Sequence, residues 1–394
     1  MLQKIEFAGA NAGSFQEGAG TLKVLAEVAI SGKHVQRLTV RLGEERQEER
    51  DLRVEAFRRR ELVPEFEEPP RAVAVHVDAG KVQVRQDDGA PGVRHAHWID
   101  TKVACLNSYT ACAHTEDPQP EPPAAFLDPP EVARLVAGVS RVHSQPEPPP
   151  AEPLGPARAG PEEQAPSPKP RVLLRTVVAT TWDSERFGYM VAAEAWCRGF
   201  YGAAVKAVLG DGGNWIGPLA ATHFPGWLLI LDIVHLVTHL YAASLAVFPR
   251  SPGRAWPLYE KLLRAAWAGR VGEVLVTLER HQQRLGPAPD GAPHEDPRRI
   301  LAREIAYIRA NADRMDYPHY RRRGLPVSSA AVESTIKQIN QRVKGTEKFW
   351  TPDNLEAVLQ GRAAHLSQDD RSTAFFDRRG PGRAARHGSL RKAA

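Results

Sequence analysis

The run Trp227–Phe248 (WLLILDIVHLVTHLYAASLAVF) restricts the fold more than any other stretch, because so many consecutive apolar side chains must leave water. It is long enough to span a bilayer. Asp232, His235 and His239 inside it would be costly in lipid, so burial in a protein core accounts for it better. Trp227–Leu231 then reads as a buried strand ending at Asp232, and the rest as a buried helix. His235 and His239 share one face of that helix.

The flanking segments extend this reading. Val205–Leu209 (VKAVL) is a second buried strand, ending in Gly210-Asp211-Gly212, and Ser184–Phe200 has a helical pattern. Strand, helix, strand, helix indicates parallel strands. Upstream, Arg71–Asp78 (RAVAVHVD) alternates like a half-buried strand. Ala79-Gly80 reads as a turn, Lys81–Arg85 as a returning strand and Trp98–Leu106 as a third, an antiparallel meander whose first strand ends in Asp78. Arg171–Ala179 is again apolar. These elements predict an α/β chain with a mixed sheet.

Helices fill most of the remainder. Residues 255–323 read as helical with a polar gap at 286–297, and Ser328–Lys344 and Ala357–Leu366 as further helices. Residues 21–60 read as two amphipathic pieces separated by Ser31-Gly32. That spacing suits either a DNA-reading helix-turn-helix, with Lys33 and Arg37 opening the second helix, or an ordinary helical hairpin. Residues 111–170 hold 16 of the 33 prolines, which leaves room for little beyond a short helix near Pro130–Val139. The Arg- and Gly-rich tail after Asp369 is expected to be disordered.

With 394 residues, the chain should form more than one module. A net charge of +5 is compatible with a polyanionic partner without requiring one. Three cysteines without a CxxC pair argue against a disulfide framework or a structural zinc cluster. The opening stretch MLQKIEFAGANAGSF has no charged-then-apolar signal pattern, so a cytoplasmic location is expected.

Three acidic residues stand out. Asp78 and Asp211 end strands, and Glu333 lies on a helix after the turn Gly324-Leu325-Pro326. Singly, each has an ordinary explanation as a turn, cap or surface residue. Together, carboxylates from a sheet and a packed helix can form a cluster that repels itself unless a cation sits in it. Hard divalent cations take such oxygen ligands. Lys337, Asn340 and Lys344 fall on the face of Glu333, opposite an apolar stripe of Val332, Ile336, Ile339 and Val343. A phosphate-tracking face and a salt-bridged surface helix both fit that pattern. A zinc protease is disfavoured, because Leu236 stands where the motif needs Glu after the first His.

Taken in order, the motifs VAVHVDAGKVQVR, HWIDTKVACL, RTVVATTWDSERFG, VLGDGGNWI, HFPGWLLILDIVH, YRRRGLPVSSAAVESTIKQINQRVKGTEKFW and AVLQGRA are familiar. The chain resembles DDE transposases of bacterial insertion sequences, specifically the ISKra group, related to Mutator-like elements. The resemblance runs from about residue 71 to 366, with the proline-rich segment unmatched. It implies an RNase H-like mixed sheet with flanking helices, a helical insertion between the second Asp and the Glu, and an N-terminal helical region. Two sequence departures stand out: Ala79 replaces a Gly common after the first acid, and Gly217 stands where an aromatic often follows Trp-Ile.

The resemblance implies a division into a helical, DNA-binding region 1–68, a first core half 69–110, a proline-rich linker 111–170 and a second core half 171–240. A helical insertion 241–325, the catalytic-Glu and C-terminal helices 326–368 and a basic tail 369–394 complete it. It assigns Asp78, Asp211 and Glu333 as catalytic ligands of two Mg²⁺ or Mn²⁺ ions. Asp232 and His235 match a D/C-x-x-H signature, with His235 supporting the site. Lys337, Asn340, Arg342, Lys344 and Lys348, with Lys33 and Arg37, are expected to contact DNA. Trp215 and Trp350 are candidates for base stacking or for core packing. The expected activity is DNA strand cleavage and transfer by a nucleoid-associated homodimer holding paired terminal repeats. The rivals are a nuclease without strand transfer and a shortened, inactive DNA-binding regulator.

Overall fold

The computed structural model describes residues 1–85, 96–143, 169–328, 330–345 and 348–379. Three N-terminal helices, α1 (Leu2–Asn11), α2 (Phe15–Ala26) and α3 (Gly32–Arg58), precede strands β1 (Ala72–Arg85) and β2 (Ala96–Tyr109). Then come α4 (Pro129–His143), β3 (Val172–Thr180), α5 (Ser184–Cys197), β4 (Val205–Gly210), α6 (Ile216–His223), β5 (Leu228–Leu231) and α7 (Ile233–Val247). The chain continues through α8 (Pro252–Trp267), α9 (Val271–Leu285), α10 (Pro297–Ala310), α11 (Tyr317–Arg322), α12 (Ala330–Val343), α13 (Pro352–Leu366) and α14 (Arg371–Arg379). Among these, no helix is long and apolar enough to cross a membrane. The apolar run becomes β5 and α7, as its composition predicts.

The fold is α/β, with one five-stranded mixed sheet in the order β3-β2-β1-β4-β5. β1 pairs antiparallel with β2, and β2 with β3, while β4 and β5 run parallel to β1. Alternation along β1 assigns its two faces. Val73, Val75 and Val77 pack with Phe187, Val191 and Ile216 of α5 and α6. Val82 and Val84 point the other way, into a core with Val332, Ile336, Ile339 and Val343 of α12 and Leu355 and Val358 of α13. On that second face helices α7 to α10 cover Ala74, Leu209 and Ile230.

Several expectations need correcting. Ala79-Gly80 is not a turn: β1 runs unbroken to Arg85, with Gly80 opposite Thr101 of β2. Asp78 therefore lies inside a long strand. The expected returning strand Lys81–Arg85 is the end of β1, the expected third strand Trp98–Leu106 lies in the second, β2, and β3 is the third. α3 is 27 residues long, far longer than a short recognition helix. Ser31 caps it, its hydroxyl accepting from His34 N. Beyond the first turns, where Lys33 and Arg37 are exposed, α3 packs closely on α13. Residues 111–143 are built into the fold: Arg321 pairs with Asp117, Trp267 donates to the Gln119 carbonyl at 2.8 Å, and Val132 is in the core. The rest of the linker, 144–168, lies outside the described residues. The tail begins with a packed helix, α14, whose Phe375 is buried and whose Arg379 pairs with Glu45 at 2.6 Å; residues 380–394 lie outside the described ones.

Glu6 joins the N-terminal helices to the body. It accepts from Arg46 Nε and Nη2 at 2.7 and 2.8 Å, and His365 Nε2 lies 3.4 Å away. Burial pushes this carboxyl up, but its contacts with Arg46 and His365 more than offset that and bring it from 4.5 down to about 2. Its stabilising contribution is thus complete above the unfolded value and fades as pH falls from 4.5 towards 2. Glu6→Gln is expected to cost on the order of 2–3 kcal/mol at neutral pH. Thermal melts check this, since the gap between variant and wild type should narrow steadily below pH 4.5.

Candidate functional site

The parallel pairing of β1 and β4 sets His76 beside Leu209. Two residues further on in each chain segment come Asp78 and Asp211. The next strand adds a third acid: Asp232 N donates to the Gly210 carbonyl at 2.9 Å, which places Asp232 at the end of β5. Three aspartates thus stand side by side across β1, β4 and β5. Asp78 lies on the β1 face that α12 covers, because it shares the parity of Val82 and Val84. The buried stripe of α12 seats that helix on the sheet and turns Glu333 towards the acids. α7 starts directly at Asp232, whose carboxylate caps it by accepting from Val234 N at 3.1 Å. His235 then faces the same pocket, with Nε2 3.7 Å from Asp232 Oδ2 and 3.9 Å from Glu333 Oε1.

Ligand atoms of Asp232, His235 and Glu333 all lie within 4.8 Å of one another. Asp78 joins them electrostatically. Burial, then the charges of Asp211, Glu333 and Asp232, push its carboxyl well above the usual range, against a 2.6 Å bond accepted from Ala79 N. Burial pushes the His235 ring down, against the opposing pull of Asp211 and Glu333. The sequence-predicted Asp78, Asp211, Glu333 and His235 are therefore brought into one pocket, and Asp232 belongs with them. An oxygen-rich donor set with this much unbalanced negative charge fits a hard divalent cation.

The insertion reaches into the same place. Tyr307 of α10 donates to the Asp211 carbonyl oxygen at 2.6 Å, while Gly213 N donates to the Asp211 carboxylate at 2.9 Å. The Tyr307 ring stacks on His239, with centroids 3.5 Å apart and planes at 19°. His239 Nδ1 meets Glu304 Oε2 at 2.5 Å, and Arg303 holds the other oxygen of Glu304 at 2.8 and 3.0 Å. His239 is thus engaged with α10 and is not a metal partner for His235. No motif marks Tyr307 in the sequence; its spacing of three from Glu304 is the only available signal.

The DNA-contact candidates separate. Lys33, Arg37 and Lys337 are exposed, while Asn340, Lys344 and Lys348 are half-buried, Lys348 donating to the Gln341 carbonyl at 2.8 Å. Arg342 is corrected: it is 2% exposed, donates to the Gly9 carbonyl at 2.8 Å and lies over the rings of Phe15 and Trp350. Its helical phase places it between the polar and apolar stripes, and α1 covers it. Trp350 is core, donating to the Val343 carbonyl; Trp215 is half-buried against Phe187. A scan against protein-family models finds no match for this chain, and a search of curated proteins finds none.

Proposed function

We propose that this chain is a DDE transposase, cutting and joining DNA strands with divalent metal ions held by Asp78, Asp211 and Glu333. The observation that carries the reading is the convergence of these acids, far apart in sequence, on one side of a sheet ordered β3-β2-β1-β4-β5. That order, three antiparallel strands followed by two parallel ones, is the one expected of an RNase H-like core. Helices α8 to α10 lie between the second Asp and the Glu, where the resembled family carries its insertion.

In this reading Asp78, Asp211 and Glu333 bind Mg²⁺ or Mn²⁺, and two ions would stabilise the attacking and leaving oxygens of an in-line displacement. Water attacks a phosphodiester at the element's end and the 3′-oxygen leaves as a hydroxyl. That 3′-hydroxyl then attacks target DNA, forming a new phosphodiester and releasing another 3′-hydroxyl. His235, between Asp232 and Glu333, supports the site or contacts the strand. Tyr307 fixes the Asp211 backbone. Lys337, Asn340, Lys344 and Lys348 line the route of the strand, and a homodimer would hold two ends.

The test incubates purified protein with DNA carrying the sequences that flank its gene, with Mg²⁺ or Mn²⁺. Nicked and joined products are expected. Nicking without joining would instead favour a nuclease, and salt-sensitive binding without any nicking an inactive regulator. Absence of both metal binding and DNA binding would overturn the reading altogether.

A further inference from the structure

The short turn Ala312–Arg314 follows the helix that carries Tyr307. Asn311 Nδ2 donates to the Tyr307 carbonyl at 3.0 Å, and Asn311 Oδ1 accepts from Arg314 Nη1 at 2.9 Å. The guanidinium is therefore tethered to the structure that holds Asp211. On its other side lies the first turn of α6. A Cβ on Gly217 would stand 2.9 Å from Arg314 Nη2, and one on Gly212 3.0 Å from the Asn311 amide. Glycine at both positions leaves the guanidinium its place beside the loop that follows β4. Ligands of open parallel sheets bind beyond the carboxyl ends of the strands, where this loop lies.

Charge balance distinguishes Arg314 from its neighbours. Arg264, Arg298, Arg303, Arg309 and Arg321 each hydrogen-bond a carboxylate at 3.0 Å or less. The carboxylate recorded near Arg314 is Asp313, 3.9 Å from Nε and largely exposed, which is outside hydrogen-bond reach. Nε is buried and makes no hydrogen bond. A tethered, always-charged guanidinium with no hydrogen-bonded carboxylate among the described residues, its Nη2 turned to the helix that follows the Asp211 loop, suits a phosphate oxygen.

We infer that Arg314 binds a phosphodiester of the nucleic-acid strand, one that neighbours the group held at the carboxylates. The inference rests on the reading of that cluster as a metal site acting on DNA. Three measurements on the full chain test it: Mn²⁺ binding by calorimetry, affinity for a DNA duplex across a salt series, and strand cleavage. Arg314→Gln should bind Mn²⁺ like wild type, lose about tenfold in DNA affinity and reduce the salt slope by about one. Arg314→Lys should recover part of the affinity, because it restores the charge without the fork. Gly217→Ala, which crowds the guanidinium, should weaken DNA binding with Arg314 still present, and it serves if Arg314→Gln misfolds. Wild-type affinity and salt slope in Arg314→Gln overturn the inference, as does equal competition by millimolar inorganic phosphate, which marks a small-anion site. Failure of wild type itself to bind Mn²⁺ and DNA overturns the underlying reading instead.

Discussion

Asp78→Asn is expected to remove metal-dependent strand cleavage, lowering turnover about a thousandfold or more, equivalent to roughly 4 kcal/mol of transition-state stabilisation. Asp78 is 2% exposed, within the field of three other carboxylates. An amide keeps its shape but cannot offer an anionic oxygen to a cation. Asp211→Asn and Glu333→Gln should behave alike, because the three act as a unit and their losses will not add. Gel shifts should show DNA binding intact in all three. Without metal, Asp78→Asn should melt above wild type, since it removes a buried carboxyl whose charged form its acidic neighbours disfavour, and added Mn²⁺ should stabilise it less than wild type. Retained Mg²⁺-dependent nicking in any one variant would exclude that residue from the site.

Gly43→Val is expected to be strongly destabilising in the N-terminal region. A Cβ there would lie 2.1 Å from the Ala357 carbonyl oxygen and 2.5 Å from its carbon. These are backbone atoms of a neighbouring helix, so no rotamer relieves the clash and α3 must move away from α13. That movement breaks the bond between Arg50 and Glu356, a residue that also accepts from Thr180 and from Thr181 at 2.7 to 2.9 Å. Overpacking of this kind costs about 1–3 kcal/mol, with the lost polar contacts in addition. The melting temperature should fall by roughly 2–6 °C. Gly20→Ala is the control: nothing lies within 4 Å of that Cβ, and alanine favours the helix. Equal melting of Gly43→Val and wild type would mean that α3 does not sit on α13 in solution.

Periodicity marks the side of an element that is buried, which is why β4, β5, α7 and the apolar stripe of α12 were legible from residues alone. It carries no information on pairing partners. Ala79-Gly80 has turn composition, yet β2 continues to pair with β1 across it, and pairing decides. Arg342 and Lys344 are equally cationic in the sequence, but helical phase and the cover of α1 bury only the first. α14 reads as a disordered basic tail because its partners Glu45, Glu49, Glu194 and Asp369 are almost all remote in the chain. Asp78, Asp211 and Glu333 were found through motif resemblance more than through local chemistry. The bond from Tyr307 to Asp211 and the seat of Arg314 beside Gly217 are not legible in the sequence, because they depend on a helix end meeting a loop about a hundred residues upstream.

The sheet face bearing Val82, Val84, Val103 and Val177 is covered by residues between 332 and 363, all of them later in the chain. During synthesis this apolar surface must wait, wet and unshielded, until those later helices leave the ribosome, a state open to wrong associations. A chain interrupted before that point would leave the face bare and be prone to aggregate.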